Sequence, residues 1–225
     1  MKRRVESEWL DELPAEEARA VASRRDLRRV NAWMGHAMIL GRALSNYGRK
    51  PRRIVELGAG DGTFMLAVAH RTAARWSGVE TVLVDQQDLV SEQTRSDFGR
   101  LGWTARCVTA DVFDWLESAE TSDITVANLF LHHFEEEQLR TLLRLAAGRT
   151  DLFAACEPRR SGPPLLFSRL LWLIGCNRVT RHDAVVSVRA GFSGRELSAL
   201  WPPDGRWRLE ERAAGLFSQL FVAKR

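Results

Sequence analysis

With 225 residues, 45% of them hydrophobic and 28% charged, the chain has the size and composition of one globular α/β domain with a full core, which excludes a disordered or fibrous sequence. Its formal net charge of +4 rests almost wholly on arginine, with lysine only at Lys2, Lys50 and Lys224; along the chain the arginines alternate with acids, which speaks against a nucleic-acid-binding block and for a compositional bias. Cys107, Cys156 and Cys176 are odd in number and far apart, with no CxxC pair or zinc spacing, so the sequence points to a reducing, cytoplasmic compartment and to no bound metal.

Residues 1–14 are charged and hold no apolar signal core. A helix is expected to start at Pro14, a residue suited to the first helical position. Leu27, Val30, Met34, Met38 and Gly41 recur at helical spacing and predict a helix over 26–44, with Asp26 in its first turn. A turn follows at 46–51. From Arg53 onward strands and helices alternate. Strands are predicted over 53–57, 79–85, 103–108, 122–132 and 150–156, and helices over 61–75, 87–101 and 135–147, with a short one around Trp115. After Pro158 the rhythm breaks. An apolar helix over 163–174, interrupted by Ser168 and Arg169, is too short for a bilayer, which takes about 20 apolar residues. A polar, irregular segment then leads to Phe192. Ser193 and Glu196 have the spacing of a capping box. Segments 207–212 and 216–224 alternate around a glycine turn and predict a closing antiparallel hairpin. Continuous apolar strands separated by amphipathic helices predict an α/β fold, a mostly parallel sheet covered on both faces.

The segment Ile54-Val55-Glu56-Leu57-Gly58-Ala59-Gly60-Asp61-Gly62-Thr63-Phe64 carries the most chemistry. An apolar run ends in an acid, three glycines follow at alternate positions, and a helix begins. Such turns bind nucleotides, because glycine lets the backbone approach a ligand and a helix start offers free N–H groups. The dinucleotide fingerprint requires glycine where Thr63 stands, and a phosphate loop ending in Gly-Lys-Ser/Thr is absent. The segment resembles motif I of the class I S-adenosylmethionine-dependent methyltransferases, Glu/Asp-x-Gly-x-Gly-x-Gly. The resemblance continues through Val82-Leu83-Val84-Asp85, Ala110-Asp111-Val112 and Asn128-Leu129-Phe130-Leu131-His132-His133-Phe134, and covers residues 53–158.

That resemblance implies a Rossmann-like, seven-stranded, mostly parallel sheet with an antiparallel C-terminal hairpin. It also implies S-adenosyl-L-methionine as cofactor, seated near Glu56, Gly58, Gly60, Gly62, Asp85, Gln86, Asp111, Val112 and Asn128. Glu56 would serve the amino end of the methionine moiety, Asp85 the ribose and Asp111 the adenine amino group. A carboxylate suits the ribose because it accepts from both hydroxyls. Each residue also has a plainer use: Asp85 as a solvated strand-end acid, Asp111 as the cap of the next turn, Asn128 as a partner for local backbone. One domain is expected over 1–225. It comprises a helical cover (1–50), a cofactor-binding core (53–158), a helical lid or acceptor-selecting insertion (159–192), and a closing helix and hairpin (193–225).

A sulfonium methyl is already activated, so the protein must chiefly align the acceptor and exclude water. A phenol with a pKa of about 10 gains from a base, and a histidine near 6.5 can supply one. The candidates are His132 and His133 at the end of the fourth strand, and His182, which Asp183 could orient. A packed or helix-capping pair and a surface pair are the respective alternatives. His36 reads as structural, and Glu157 either faces the acceptor or pairs with Arg159 or Arg160. No Asn/Asp-Pro-Pro-Tyr motif follows the fourth strand. Neither the clustered acids of metal-dependent catechol methyltransferases nor an RNA-binding module is evident. Segments 30–40 and 165–174 are rich in Trp, Met, Phe and Leu and suggest an apolar acceptor pocket, with plain core packing as the alternative.

The expected function is methyl transfer to a phenolic or enolic oxygen of a small, largely apolar metabolite. C-methylation, RNA or protein methylation, a non-catalytic cofactor-binding module and a dehydrogenase are the alternatives. The expected partner is an aromatic or lipid-tailed acceptor, with no nucleic acid and no spanning membrane segment; peripheral membrane contact and a monomer or homodimer are both compatible.

Overall fold

The computed structural model describes residues 1–14 and 16–225. The chain opens with α1 (Trp9–Glu12), α2 (Ala18–Met34) and α3 (His36–Ser45). The alternating part follows: β1 (Arg53–Leu57), α4 (Thr63–Thr72), β2 (Glu80–Asp85), α5 (Glu92–Arg100), β3 (Thr104–Thr109), α6 (Val112–Ser118), β4 (Ser122–Asn128), α7 (Glu136–Arg149) and β5 (Thr150–Pro158). Then come α8 (Gly162–Leu170), α9 (Arg178–Ala190), α10 (Glu196–Leu200), β6 (Arg208–Ala214) and β7 (Ser218–Lys224).

The strands form one seven-stranded sheet in the order β3-β2-β1-β4-β5-β7-β6. β1 to β5 are parallel, and β7 runs antiparallel to both β5 and β6. Strand residues alternate between two apolar layers, as a doubly covered sheet requires. Ile54, Leu83, Ile124 and Leu152 pack with Leu40, Leu44, Met65, Val68 and Phe98 of α3, α4 and α5. Val55, Val84, Ala127 and Phe153 pack with Leu116, Leu139, Leu143 and Leu197 of α6, α7 and α10. Among the described residues, no helix is long and apolar enough to cross a membrane.

The strand order reverses between β1 and β4, and ligands of such sheets sit outside the strand ends at that point. Four helices, α1, α2, α8 and α9, stand over this edge. Trp33 of α2 stacks on Phe167 of α8 at 4.8 Å. The buried Asp26 of α2 accepts from the backbone N–H of Asn177 at 2.8 Å and from the Thr180 hydroxyl at 3.4 Å, and Ser23 and Thr180 share a hydrogen bond at 2.9 Å. α2 and α9 are therefore clasped through buried polar groups.

Several predicted boundaries differ. The helix expected over 26–44 is two helices, broken at Gly35, whose left-handed φ of 70° ends α2 and starts α3 in a new direction. Asp26 lies mid-helix rather than in a first turn, held by its bonds to α9. The helix expected from Pro14 begins at Ala18. β4 ends at Asn128, not at 132: Leu129 takes φ 52°, and residues 131–133 form a 3-10 turn. The segment read as irregular after 174 contains α9, capped by the Asn177 side chain, which accepts from Thr180 N–H at 2.8 Å. At Ser193 half a capping box forms: the Glu196 carboxylate accepts from Ser193 N–H, but the helix starts later, at Glu196.

Candidate functional site

The glycine turn joins β1 to α4. Gly58, Gly60 and Gly62 have φ of 69°, 52° and 73°, all left-handed. The N–H groups of Gly58 and Ala59 donate to the Val84 carbonyl at 2.9 and 3.0 Å, which pins the turn to β2. The Asp85 carboxylate accepts from Gly60 N–H at 2.8 Å and from Gln87 N–H at 2.9 Å, so two backbone bonds orient it toward the crevice. A Cβ on Gly58 would sit 2.1 Å from a ring carbon of Phe130. Gly58→Ala combines that clash with a disfavoured φ, and is expected to destabilise the chain by about 2–4 kcal/mol in urea unfolding. An unchanged midpoint would mean that Phe130 yields freely.

Glu56 faces the same crevice from β1. It is 1% exposed, and its Oε2 has no hydrogen-bond partner. Burial, reinforced by Asp61 and Asp85, raises its pKa well above the ordinary glutamate value. A buried carboxylate oxygen without a donor is costly, and a cationic donor entering the crevice would relieve it. Asn128, at the end of β4, accepts from His36 Nδ1 at 2.9 Å, and His36 Nε2 meets the Ser218 hydroxyl at 2.8 Å. Burial lowers the His36 pKa to about 4, so this ring is neutral and its hydrogen bonds join α3, β4 and β7.

A second polar group lies where the chain leaves β4. Glu157 accepts from the N–H groups of Phe130 and Leu131 at 3.0 and 2.9 Å, and its other oxygen meets His132 Nδ1 at 2.8 Å. His132 Nε2 meets Glu8 at 3.3 Å, and Glu8 also accepts from Ser187 of α9. Burial opposes charge on His132, but the hydrogen bonds to Glu157 and Glu8 outweigh it and raise its pKa to about 9. It is thus an imidazolium between two carboxylates. His133 stacks beside it with ring centroids 4.3 Å apart and Nδ1 3.4 Å from Asp11. Burial and the neighbouring His132 charge lower the His133 pKa to about 4, so it is neutral. Glu8, His132 and His133 have donor atoms within 4.8 Å of one another, a spacing a divalent ion could bridge. The hydrogen bonds already formed by His132 use the same atoms.

Most of these groups line one cavity of about 320 Å³, with Glu157 and Ser218 behind its surface. Glu56, Gly58, Gly60, Asp85, Gln87, Leu89 and Asn128 form its sheet side. Leu27, Val30 and Met34 of α2, Phe167 and Leu171 of α8 and its following turn, Val188 of α9, and Phe217 form a largely apolar opposite wall, interrupted by Arg24, Arg28 and Asn31 of α2. His132 and His133 lie between the two halves, with Glu8 and Asp11 above them.

Of the cofactor and base candidates, seven reach this cavity: Glu56, Gly58, Gly60, Asp85, Asn128, His132 and His133; His36, read as structural, lines it as well. Gly62, Gln86, Asp111, Val112 and His182 do not line it. Gly62 caps α4. Asp111 caps α6 by accepting from Phe113 N–H at 2.8 Å, and Gln86 donates to its other oxygen at 2.9 Å. His182 is turned away from the cavity. Its ring stacks on Trp9 at 3.8 Å, and Asp183 spends its carboxylate on the N–H groups of Trp9 and Leu10 as well as on His182. A base role for His182 therefore loses its geometry. Glu8 and Asp11 were not singled out, because a charged N-terminal stretch reads as solvated surface. Arg3 brings that stretch in, donating to the carbonyls of Ala190 at 2.7 Å and Phe134 at 2.8 Å.

Residues 54–149 match the model of a family described as a methyltransferase domain. Those residues, spanning β1 to α7, are thus similar to a methyltransferase domain. Solved structures share the chain's fold at low identity. A protein assigned as an O-methyltransferase from Nostoc punctiforme aligns with 14% identity and a TM-score of 0.65, over all of this chain and 64% of that one. The plantazolicin methyltransferase BamL, in complex with a triazolic desmethylPZN analogue and SAH, aligns with 13% identity and a TM-score of 0.64, over 93% of this chain and 91% of that one. The mitomycin 7-O-methyltransferase MmcR aligns with 17% identity and a TM-score of 0.62, over 96% of this chain and 60% of that one. The chain thus spans under two thirds of the first and third of these proteins. No curated protein matches it significantly in sequence. The orphaned Glu56 oxygen, the glycine turn and the backbone-held Asp85 fit S-adenosylmethionine, whose ammonium, backbone carboxylate and ribose need a buried acid, an open turn and an oriented acid.

Proposed function

We propose that the chain transfers the methyl group of S-adenosylmethionine to an oxygen of a small, largely apolar metabolite, a phenol or an enol. The observation that carries this reading is the partnerless buried oxygen of Glu56, at one end of a cavity whose other end is apolar and meets a neutral histidine. The bound cofactor supplies a methyl group on a positively charged sulfur, ready for in-line displacement. Glu56 takes the ammonium, and Asp85 takes the ribose hydroxyls. Beyond them, the adenine would extend out of the cavity toward Gln86, Asp111 and Val112, with Gly62 starting the helix behind the turn. Leu27, Val30, Phe167 and Leu171 exclude water and hold the acceptor by its apolar body.

His133 takes the acceptor's hydroxyl proton. It is neutral at pH 7, whereas His132 already carries a proton and has both nitrogens engaged. His132 acts as a positioning residue, fixing the turn that presents His133. The O-methyltransferase assignments of two proteins of similar fold support oxygen as the acceptor atom.

The test is incubation of the purified chain with methyl-labelled S-adenosylmethionine and a panel of alkylated phenols, with products assigned by NMR. An O-methyl ether is expected. A C-methyl product would move the reading to C-methylation, and labelled RNA or protein in place of a small product would overturn it. His133→Ala is expected to lower kcat by about 10²–10⁴-fold while leaving cofactor affinity unchanged. Undiminished turnover would remove His133 as the base.

A further inference from the structure

Both faces of α8 and the turn after it are apolar. Phe167 and Leu171 point into the cavity, whereas Leu166, Leu170, Trp172, Leu173 and Ile174 face solvent. Four of these five are more than half exposed: 62% for Leu166 and Leu173, 56% for Trp172 and 53% for Ile174. A helix apolar all round is normally buried, and a contiguous exposed apolar patch marks an interaction site. Trp33 of α2, 61% exposed, extends the patch through its stack on Phe167.

In the segments that carry this patch, basic residues far outnumber acids. Residues 18–49 and 158–182, which contain α2, α3, α8 and the start of α9, hold twelve arginines and a single acid, Asp26, which is buried. That is a net +11 in a chain of net +4, so the remainder is acidic. The clasp between α2 and α9 and the stack of α2 on α8 bring the arginines of these three helices together, whereas Arg49 pairs with Asp123 and Asp151 at the opposite sheet edge and Arg160 is buried against Glu196. Arg29 of α2, exposed, donates to the Ile174 carbonyl at 3.4 Å, and Arg169 is exposed on α8 itself.

We infer that this face docks on an anionic lipid surface, with the Leu166–Ile174 segment inserted at the headgroup boundary and the arginines on the lipid phosphates. Apolar and aromatic side chains ringed by cations are the chemistry of interfacial binding. An RNA would use the arginines but leave the leucines and Trp172 in water, and a second copy of the chain would bring like charge against like. The same segment walls the acceptor half of the cavity, so a lipid-tailed acceptor would enter from the bilayer without crossing water. That last step rests on the proposed function; the docking itself does not.

The test is flotation of the full chain, without cofactor or acceptor, with vesicles of phosphatidylcholine alone or mixed with phosphatidylglycerol. Binding to the mixed vesicles alone, weakened by salt, is expected. Leu166→Ser and Leu173→Ser lie outside the cavity lining and should each weaken binding by about tenfold with no change in thermal unfolding. Absence of flotation, equal binding to neutral vesicles, or parental binding by both variants would overturn the inference. So would a dimer in light scattering that Leu173→Ser dissociates while vesicles stay unbound, or retention on RNA in their place. Because no methyl transfer is read, failure here leaves the proposed reaction standing, and failure of that reaction leaves flotation to be judged alone.

Discussion

Glu56→Gln is expected to weaken S-adenosylmethionine binding by about 10–100-fold and, in the same protein, to raise the thermal unfolding midpoint of the ligand-free chain. The two effects share one cause. Glu56 is buried, and one oxygen has no donor. Its pKa is raised above the ordinary value, so its favourable contribution to stability is present in full only below about pH 4 and is lost as pH rises through the raised folded value. At neutral pH the ligand-free protein bears the cost of taking this acid out of water, and glutamine removes that cost. The cofactor's ammonium would relieve the same cost on binding, and a charged hydrogen bond of this kind contributes about 1.5–3 kcal/mol. Calorimetric titration and a melting curve on the same two samples decide it. An unchanged affinity would detach Glu56 from the cofactor, and a lowered midpoint would mean that the carboxylate is stabilised by something other than ligand.

His132→Ala is expected to cost about 3–5 kcal/mol near pH 6.5, because it leaves Glu8 and Glu157 as buried carboxylates without their shared cation. The effect should depend on pH in a definite direction. His132 has a folded pKa of about 9, above its unfolded value near 6.5, so its stabilisation is complete below about pH 6.5 and disappears as pH rises through about 9. Parent and variant should therefore converge in urea midpoint as pH climbs past 9. On the acid side the sign reverses for His36 and His133. Their folded pKa values of about 4 lie below the unfolded value, so protonation of the unfolded chain erodes stability between about pH 6.5 and 4. Urea titrations at several pH values measure both arms. A gap between parent and variant that persists undiminished at high pH would show that packing of the ring, not its charge, is what matters.

The sheet was legible because buried parallel strands are written as short, mainly apolar runs, and 54–57, 82–84 and 124–127 are such runs, interrupted only by Glu56 and Thr125. The glycine turn was legible because alternate glycines before a helix have few other uses. The break at Gly35 was hidden, since one glycine inside a helical apolar pattern is tolerated as often as it ends a helix. The end of β4 was hidden for the opposite reason: Leu129, Phe130 and Leu131 continue the apolar run, while the chain turns at a left-handed leucine that no propensity would place there. In the site, residues carried by strand ends were read from local pattern. Glu8 was not. Its role depends on contacts with His132 and Ser187, over a hundred positions away, and no local signal distinguishes it from the acids around it. His182 and Asp183 looked like a base and its orienting acid because they are adjacent. On α9, Asp183 instead holds the backbone of α1, and His182 packs against Trp9.

The clasp of Asp26 and Ser23 with Asn177 and Thr180 bears on how molecules come and go. α2 precedes the sheet and α9 follows five of its strands, so they would ordinarily be free to move as separate flaps. Parting them would strand a buried carboxylate and two buried hydroxyls, losing several hydrogen bonds at once, and that strongly disfavours a gap on that side. Exchange is easier elsewhere, between the glycine turn and the edge of α2 or beneath α8, which meets α2 and Phe217 through the aromatic ring of Phe167. The roof over the cavity is a yoke rather than a pair of doors, and substrate exchange is set by how α8 and its turn shift against it.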